Sequence, residues 1–281
     1  EMVHNEDELR FTKRGMISQT FSGAGEEFGL FLETSFGNSF IIEPKFAITS
    51  GDGRNSFGDD SRDSDKGGVK LGSRINFYPF ENFAPGNRLT TVDLEGEEKL
   101  KAQLGFAFSK NFGASNLVGD GHGDFILYDS TGNEQYPDYS QLFFDLNLKY
   151  KGFSFVFEYA DATASALEYI FTDPNGFNIL NPTQISEYLI LGDSQGIQFG
   201  YFTKNGLSFD FIYEQFNPEF DSNLNSILRE STNLGIGVSK YIVGNKLKLQ
   251  ASAFKTNYKN SVEGLDDDEF MSAAFLVQIA F

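Results

Sequence analysis

Thr232-Asn233-Leu234-Gly235-Ile236-Gly237-Val238-Ser239, joined through Val243-Gly244-Asn245 to Leu247-Lys248-Leu249-Gln250-Ala251-Ser252-Ala253, is the stretch on which the fold turns. Leu234, Ile236 and Val238 alternate with Asn233, Gly235, Gly237 and Ser239. On the return leg Leu247, Leu249, Ala251 and Ala253 alternate with Lys248, Gln250 and Ser252. The period is two, so each leg is a strand with one apolar and one polar face, and the Gly-Asn pair is a tight turn. One such hairpin also suits a soluble sandwich, so the decision rests on recurrence.

The pattern recurs along the chain. Phe28, Leu30, Leu32 and Phe36 share a face, as do Phe40, Ile42, Phe46 and Ile48 beyond Gly37-Asn38. Leu100, Ala102, Leu104, Phe106 and Phe108 alternate with Lys99, Lys101, Gln103, Gly105 and Ser109. Leu142 to Tyr150 and Phe153 to Tyr159 flank a Lys151-Gly152 turn, and Ile197 to Tyr201 and Leu207 to Tyr213 flank Lys204-Asn205-Gly206. Short turns near Gly37, Lys151, Asn205 and Gly244 alternate with long polar loops beginning near Gly51, Gly113, Asp161, Asn217 and Asn257. The stretch Pro79 to Glu98 is the one long connection in the short series. The spacing also predicts a short helix around Ala162 to Tyr169 and a loop or weak strand over Glu1 to Phe21.

Composition narrows the class. The 281 residues hold 32 Phe, 12 Tyr, no Trp and no Cys, so neither a disulfide framework nor a thiolate metal site is available. A formal charge of −18 argues against a nucleic-acid partner, because phosphate binding needs a cationic footprint. No run reaches the roughly 20 apolar residues of a membrane helix. Strands that alternate, with short turns on one rim and long loops on the other, predict an all-β fold: a transmembrane antiparallel up-and-down β-barrel with about 11–12 strands in this sequence, one domain over residues 1–281. Counting strands back from Phe281 puts the amino terminus on the wrong side for an even-stranded barrel. Further amino-terminal strands are therefore expected. The expected location is the bacterial outer membrane, with Phe77, Phe108, Tyr150, Tyr159, Tyr201 and Tyr213 as interfacial belts and lipid and lipopolysaccharide as neighbours.

Gly72-Ser73-Arg74-Ile75-Asn76-Phe77-Tyr78-Pro79-Phe80, Gly196-Ile197-Gln198-Phe199-Gly200-Tyr201-Phe202 and Leu234-Gly235-Ile236-Gly237 with Asn245-Lys246-Leu247-Lys248-Leu249 resemble segments of the phosphate-selective porin O/P family of outer-membrane proteins, especially members from Bacteroidota. The resemblance implies that the strands here are the carboxy-terminal part of a barrel of about 16–18, and it implies passive diffusion of small hydrophilic solutes, in some members with preference for anions such as phosphate. Phe275, Val277, Ile279 and the final Phe281 look like the terminal signal read by the barrel-assembly machinery. A homo-trimer or larger membrane complex is the expected assembly.

The expected pore lining mixes Lys70, Arg74, Lys99, Lys101, Lys149 and Lys248 with Asp145, Glu158, Asp210 and Glu214, a near-balanced set that suits a general pore better than an anion filter. For any one of these charges a plain solvated strand face is the simpler reading. Leu167, Tyr169, Ile170 and Phe171, apolar residues in the longest loop, are the candidates for an inward-folded constriction. Asp59, Asp60, Asp63 and Asp65, with Asp266, Asp267 and Asp268, offer hard oxygen donors for weak Ca²⁺ or Mg²⁺ binding, without EF-hand spacing; no other cofactor is expected. The histidines are His4 and His122, both in loops, so catalysis is not expected. The competing function is a barrel that serves as a subunit or plug of a larger secretion or uptake complex, with its loops as docking surfaces.

Overall fold

The computed structural model describes residues 6–22, 27–53, 68–121, 123–165, 169–259 and 269–280. Its centre is one antiparallel sheet whose spatial order follows the sequence order throughout. The strands are β1 (Gly29–Glu33), β2 (Ile41–Thr49), β3 (Lys70–Tyr78), β4 (Lys101–Asn111), β5 (Asp138–Tyr150), β6 (Phe153–Ser165), β7 (Gly192–Phe202), β8 (Leu207–Pro218), β9 (Ser231–Val243), β10 (Leu247–Tyr258) and β11 (Glu269–Ile279). Among the described residues no ladder joins β1 to β11, so the sheet is open. With an odd number of strands in strict up-and-down order, β1 and β11 run parallel to each other.

The alternation read from sequence sets the two faces. In β7, Ser194, Gly196, Gln198 and Gly200 are buried whereas Ile197, Phe199 and Tyr201 are exposed, and β8 opposes Ser208, Asp210 and Glu214 to Phe209 and Tyr213 in the same way. The apolar face is lined with rings in contact across strands. Phe106 lies 4.8 Å from Phe144, which lies 5.8 Å from Phe157, and Phe153 lies 4.5 Å from Tyr201. Among the described residues no second sheet packs on those rings, so they are not the core of a sandwich. Single exposed apolar residues are ordinary, but a continuous apolar face across many strands is not.

Turn chemistry closes the hairpins. Lys151 and Gly152 both take positive φ, 49° and 87°, the pair of left-handed conformations that matches the twist of a two-residue hairpin. The chain leaves β1, β3, β5, β7 and β9 at one rim of the sheet, and β2, β4, β6, β8 and β10 at the other. The short helix expected around Ala162 to Tyr169 is not formed over Ala162–Ser165, which instead extend β6 by pairing with Tyr139, Asp138 and their neighbours in β5. Sheet pairing outweighs the weak local helical preference there. A one-turn-and-a-half helix, α1 (Met16–Phe21), stands where the sequence suggested a loop or weak strand. No described helix is long and apolar enough to cross a membrane, which says nothing of strands.

Candidate functional site: the polar face and the segments that cover it

The polar face is not bare. The segment Glu6–Phe21 runs across it, and the sheet holds that segment through its backbone. Lys248 Nζ donates to the carbonyls of Asp7 and Leu9 at 2.8 and 2.9 Å. Gln250 Nε2 donates to Leu9 and Arg10 carbonyls at 3.2 and 3.0 Å, and Ser252 Oγ accepts from Thr12 N at 3.2 Å. Glu214 takes the first two amides of α1, Met16 N at 3.0 Å and Ile17 N at 2.9 Å, and also accepts from Asn233 at 2.7 Å. A carboxylate at this end satisfies donors that a helix leaves without internal partners.

Arg10 is fully buried at the centre of this arrangement. Its guanidinium lies 3.7 Å from Asp210, donates to Ser154 Oγ at 3.1 Å and reaches the Thr91 carbonyl. Thr91 belongs to a second covering segment, 79–100. There Asn87, Thr90, Thr91, Asp93 and Glu97 are buried. Lys149 Nζ donates to the carbonyls of Asn87 and Thr90 at 2.6 and 2.5 Å, and Asp93 accepts from Gly152 N at 2.7 Å.

At the long-loop rim the cover is apolar. Ile17 and Phe21 of α1 join Tyr139, Ala160 and Phe216 from the strands and Leu127, Ile170, Ile185 and Leu189 from the loops in one buried cluster. Ile170, one of the four constriction candidates, is thus part of that cluster. Phe171 bridges Tyr128 and Ile179 as a short strand pairing, Tyr169 is exposed, and Leu167 lies outside the described residues.

The expected pore-lining residues divide in two. Lys101, Lys149, Asp210, Glu214 and Lys248 are buried beneath the covering segments and Glu158 is buried beside Gln198, whereas Lys70, Arg74 and Asp145 are only half-buried and Lys99 precedes β4 and is exposed. Charges on the more open part are paired: Arg74 with Asp145 at 2.8 Å and Lys70 with Glu27 at 2.9 Å. Sequence reading missed Arg10, Phe11, Ile17 and Phe21 as partners of this face. A signal for them was present: Gly196, Gly200 and Gly237 fall on the polar side of strand interiors, where a Cβ would meet Ile17, Arg10 and Phe11 in turn.

Phe275, Val277 and Ile279 lie exposed along β11, and Phe281 lies outside the described residues. So do Asp59, Asp60, Asp63, Asp65, Asp266, Asp267, Asp268 and His122. Among the described residues no group of three or more His, Asp or Glu side chains could hold a metal ion.

One loop carboxylate serves structure. Asp129 accepts from Thr131 Oγ1 at 2.7 Å, Thr131 N at 2.8 Å and Asn133 N at 2.9 Å. These bonds, that from the Thr131 hydroxyl first, draw its pKa from 3.8 down to about 2. A depressed folded-state value means the turn's contribution is whole above 3.8 and is lost as pH falls toward 2. A carboxyl NMR titration is expected to place the Asp129 midpoint near 2; a midpoint close to 4 would contradict the bonding pattern.

Compared with protein-family models, with curated proteins and with solved structures, the chain finds no match.

Proposed function

We propose that this chain forms the wall of an outer-membrane β-barrel porin that passes small hydrophilic solutes. The observation that carries the reading is the sheet itself, in which one continuous face of Phe, Leu, Ile and Val is left uncovered while the opposite face carries Lys, Asp, Glu, Asn, Gln and Ser. Water penalises such an apolar surface, and hydrocarbon welcomes it. Hydrocarbon in turn forbids unpaired backbone, so the strands belong to a closed sheet. β2 to β11 run 9 to 13 residues, enough to cross a bilayer at a tilt.

Closure sets a condition on partners. Because β1 and β11 run parallel, an antiparallel seam needs an odd number of further strands between them. The expectation of a longer barrel of the porin O/P type meets that condition. Paired charges such as Arg74 with Asp145 leave little net field on the open part of the wall, so weak ion selectivity is expected.

Purified protein in a planar bilayer should give discrete open-channel steps. A second reading, a filled barrel that docks other proteins, is favoured by the burial of Lys149, Lys248, Asp210 and Glu214 under the chain's own segments. Insertion without any conductance, both in the unmodified protein and after those segments are loosened, would leave the docking reading in possession.

A further inference from the structure

We infer that Glu6–Phe21 is a strap seated in a cradle built into the wall, and that its seating sets the open cross-section of the pore. This inference rests on the porin reading and goes beyond it. The cradle consists of glycines. A Cβ placed on Gly196 would stand 2.8 Å from Ile17 Cδ1 and on Gly237 2.9 Å from the Phe11 ring, while on Gly200 it would crowd both members of the buried pair, Asp210 Oδ1 most closely and Arg10 Nη1 at 2.9 Å. Glycine weakens a strand interior, so its use on the inner face where the strap touches is explained by the room it leaves. Beside these gaps Phe11 packs against Ile212 and Phe254, its ring 5.6 Å from that of Phe254.

The manner of attachment makes the strap separable from the wall. It adds no strand to the sheet. Wall side chains hold it: Lys248 and Gln250 on its carbonyls, Glu214 on its amides, Asp210 on Arg10. Apart from those of Gln250 these bonds are charge-assisted, and each joins groups that water can serve in turn once the strap lifts. Once the strap leaves it uncovers the polar Lys248, Gln250, Glu214 and Asp210 together with the apolar Ile212, Phe254 and Phe216, while the ladder bonds of the wall, to which it contributes none, stay in place. While it is seated, a cleft of about 720 Å³ remains between it and β11, lined in part by Thr12, Lys13, Arg14 and Gln278.

The test pairs conductance with accessibility. Gly237→Leu fills the cradle without altering the strap, and Arg10→Asp breaks its central ion pair, with Arg10→Asp/Asp210→Arg as the restoring swap. The chain has no cysteine, so Ser252→Cys, a position bonded to Thr12 N, reports seating through a water-soluble maleimide. Protection in the otherwise unmodified protein, labelling in both loosened variants, a several-fold rise in single-channel conductance in each, and recovery in the swap are expected. A silent unmodified protein with conducting variants would also support the strap, as a complete closure. Labelling with equal, non-zero conductance in all forms would overturn the strap and leave the pore. Continued protection in both variants would show that these contacts do not seat the segment, and the inference would fall. Silence in every form, with labelling, would remove the porin reading along with it.

Discussion

Phe106→Arg is expected to destabilise the protein in lipid vesicles by about 2–4 kcal/mol, the cost of a cation at the bilayer midplane on the outer face of a barrel. Phe106 is the middle residue of β4, more than half exposed, and among the described aromatic side chains its ring meets that of Phe144. The matched control is Phe177→Arg. Phe177 sits at a loop tip, 83% exposed, beside an Asp173 carboxylate that holds the tip by accepting from Asn175 N at 2.9 Å and Asn178 N at 2.7 Å. There the same exchange should fall within about 0.5 kcal/mol of neutral, as surface changes away from packed features do. Urea unfolding from vesicles measures both. Equal, small effects at the two sites would mean the apolar face meets something other than hydrocarbon.

The second large effect is expected inside. Lys149→Met keeps the length of the side chain and removes the ammonium that bonds the carbonyls of Asn87 and Thr90. Each carbonyl then stays buried without that donor, at about 1–3 kcal/mol apiece, so a loss near 3 kcal/mol is expected, concentrated in the segment 83–97. Hydrogen exchange should show those amides opening while the amides of β5 and β6 keep their protection, because the β5–β6 ladder does not depend on the ammonium. Uniform loss of protection through the sheet would instead show that this segment and the wall unfold as one unit.

Both expectations depend on a division that the residues display unequally. The hairpin Thr232 to Thr256 stands as read, with Gly237 opposite Ser252 and Ile236 opposite Ala253, because alternation ties each side chain to a face and a slip of one residue would exchange the faces. The turn at Lys151-Gly152 was legible for the same local reason. The helix expected around Ala162 to Tyr169 does not form over Ala162–Ser165, because four residues with mild helical preference cannot compete with a neighbouring strand that offers them a full set of ladder bonds.

The covering segments were not legible in this way. Lys248 meets the carbonyl of Leu9 across 239 positions, and Arg10 meets Asp210 across 200. Nothing near either lysine or arginine in sequence separates a charge that faces water from one that caps a distant carbonyl. The glycines at 196, 200 and 237 did carry the information that something comes close, without saying what.

Period-two alternation and turn chemistry, which act between neighbours, were therefore sufficient in the sequence for the strands, their order and the identity of each face. Only the tertiary structure decided what lies over the polar face, that Glu6–Phe21 and the 79–100 connection occupy it, and that the sheet remains open between β1 and β11. Those outcomes depend on contacts between residues from 59 to 241 positions apart, whose partners are chosen by the shape of the assembled wall.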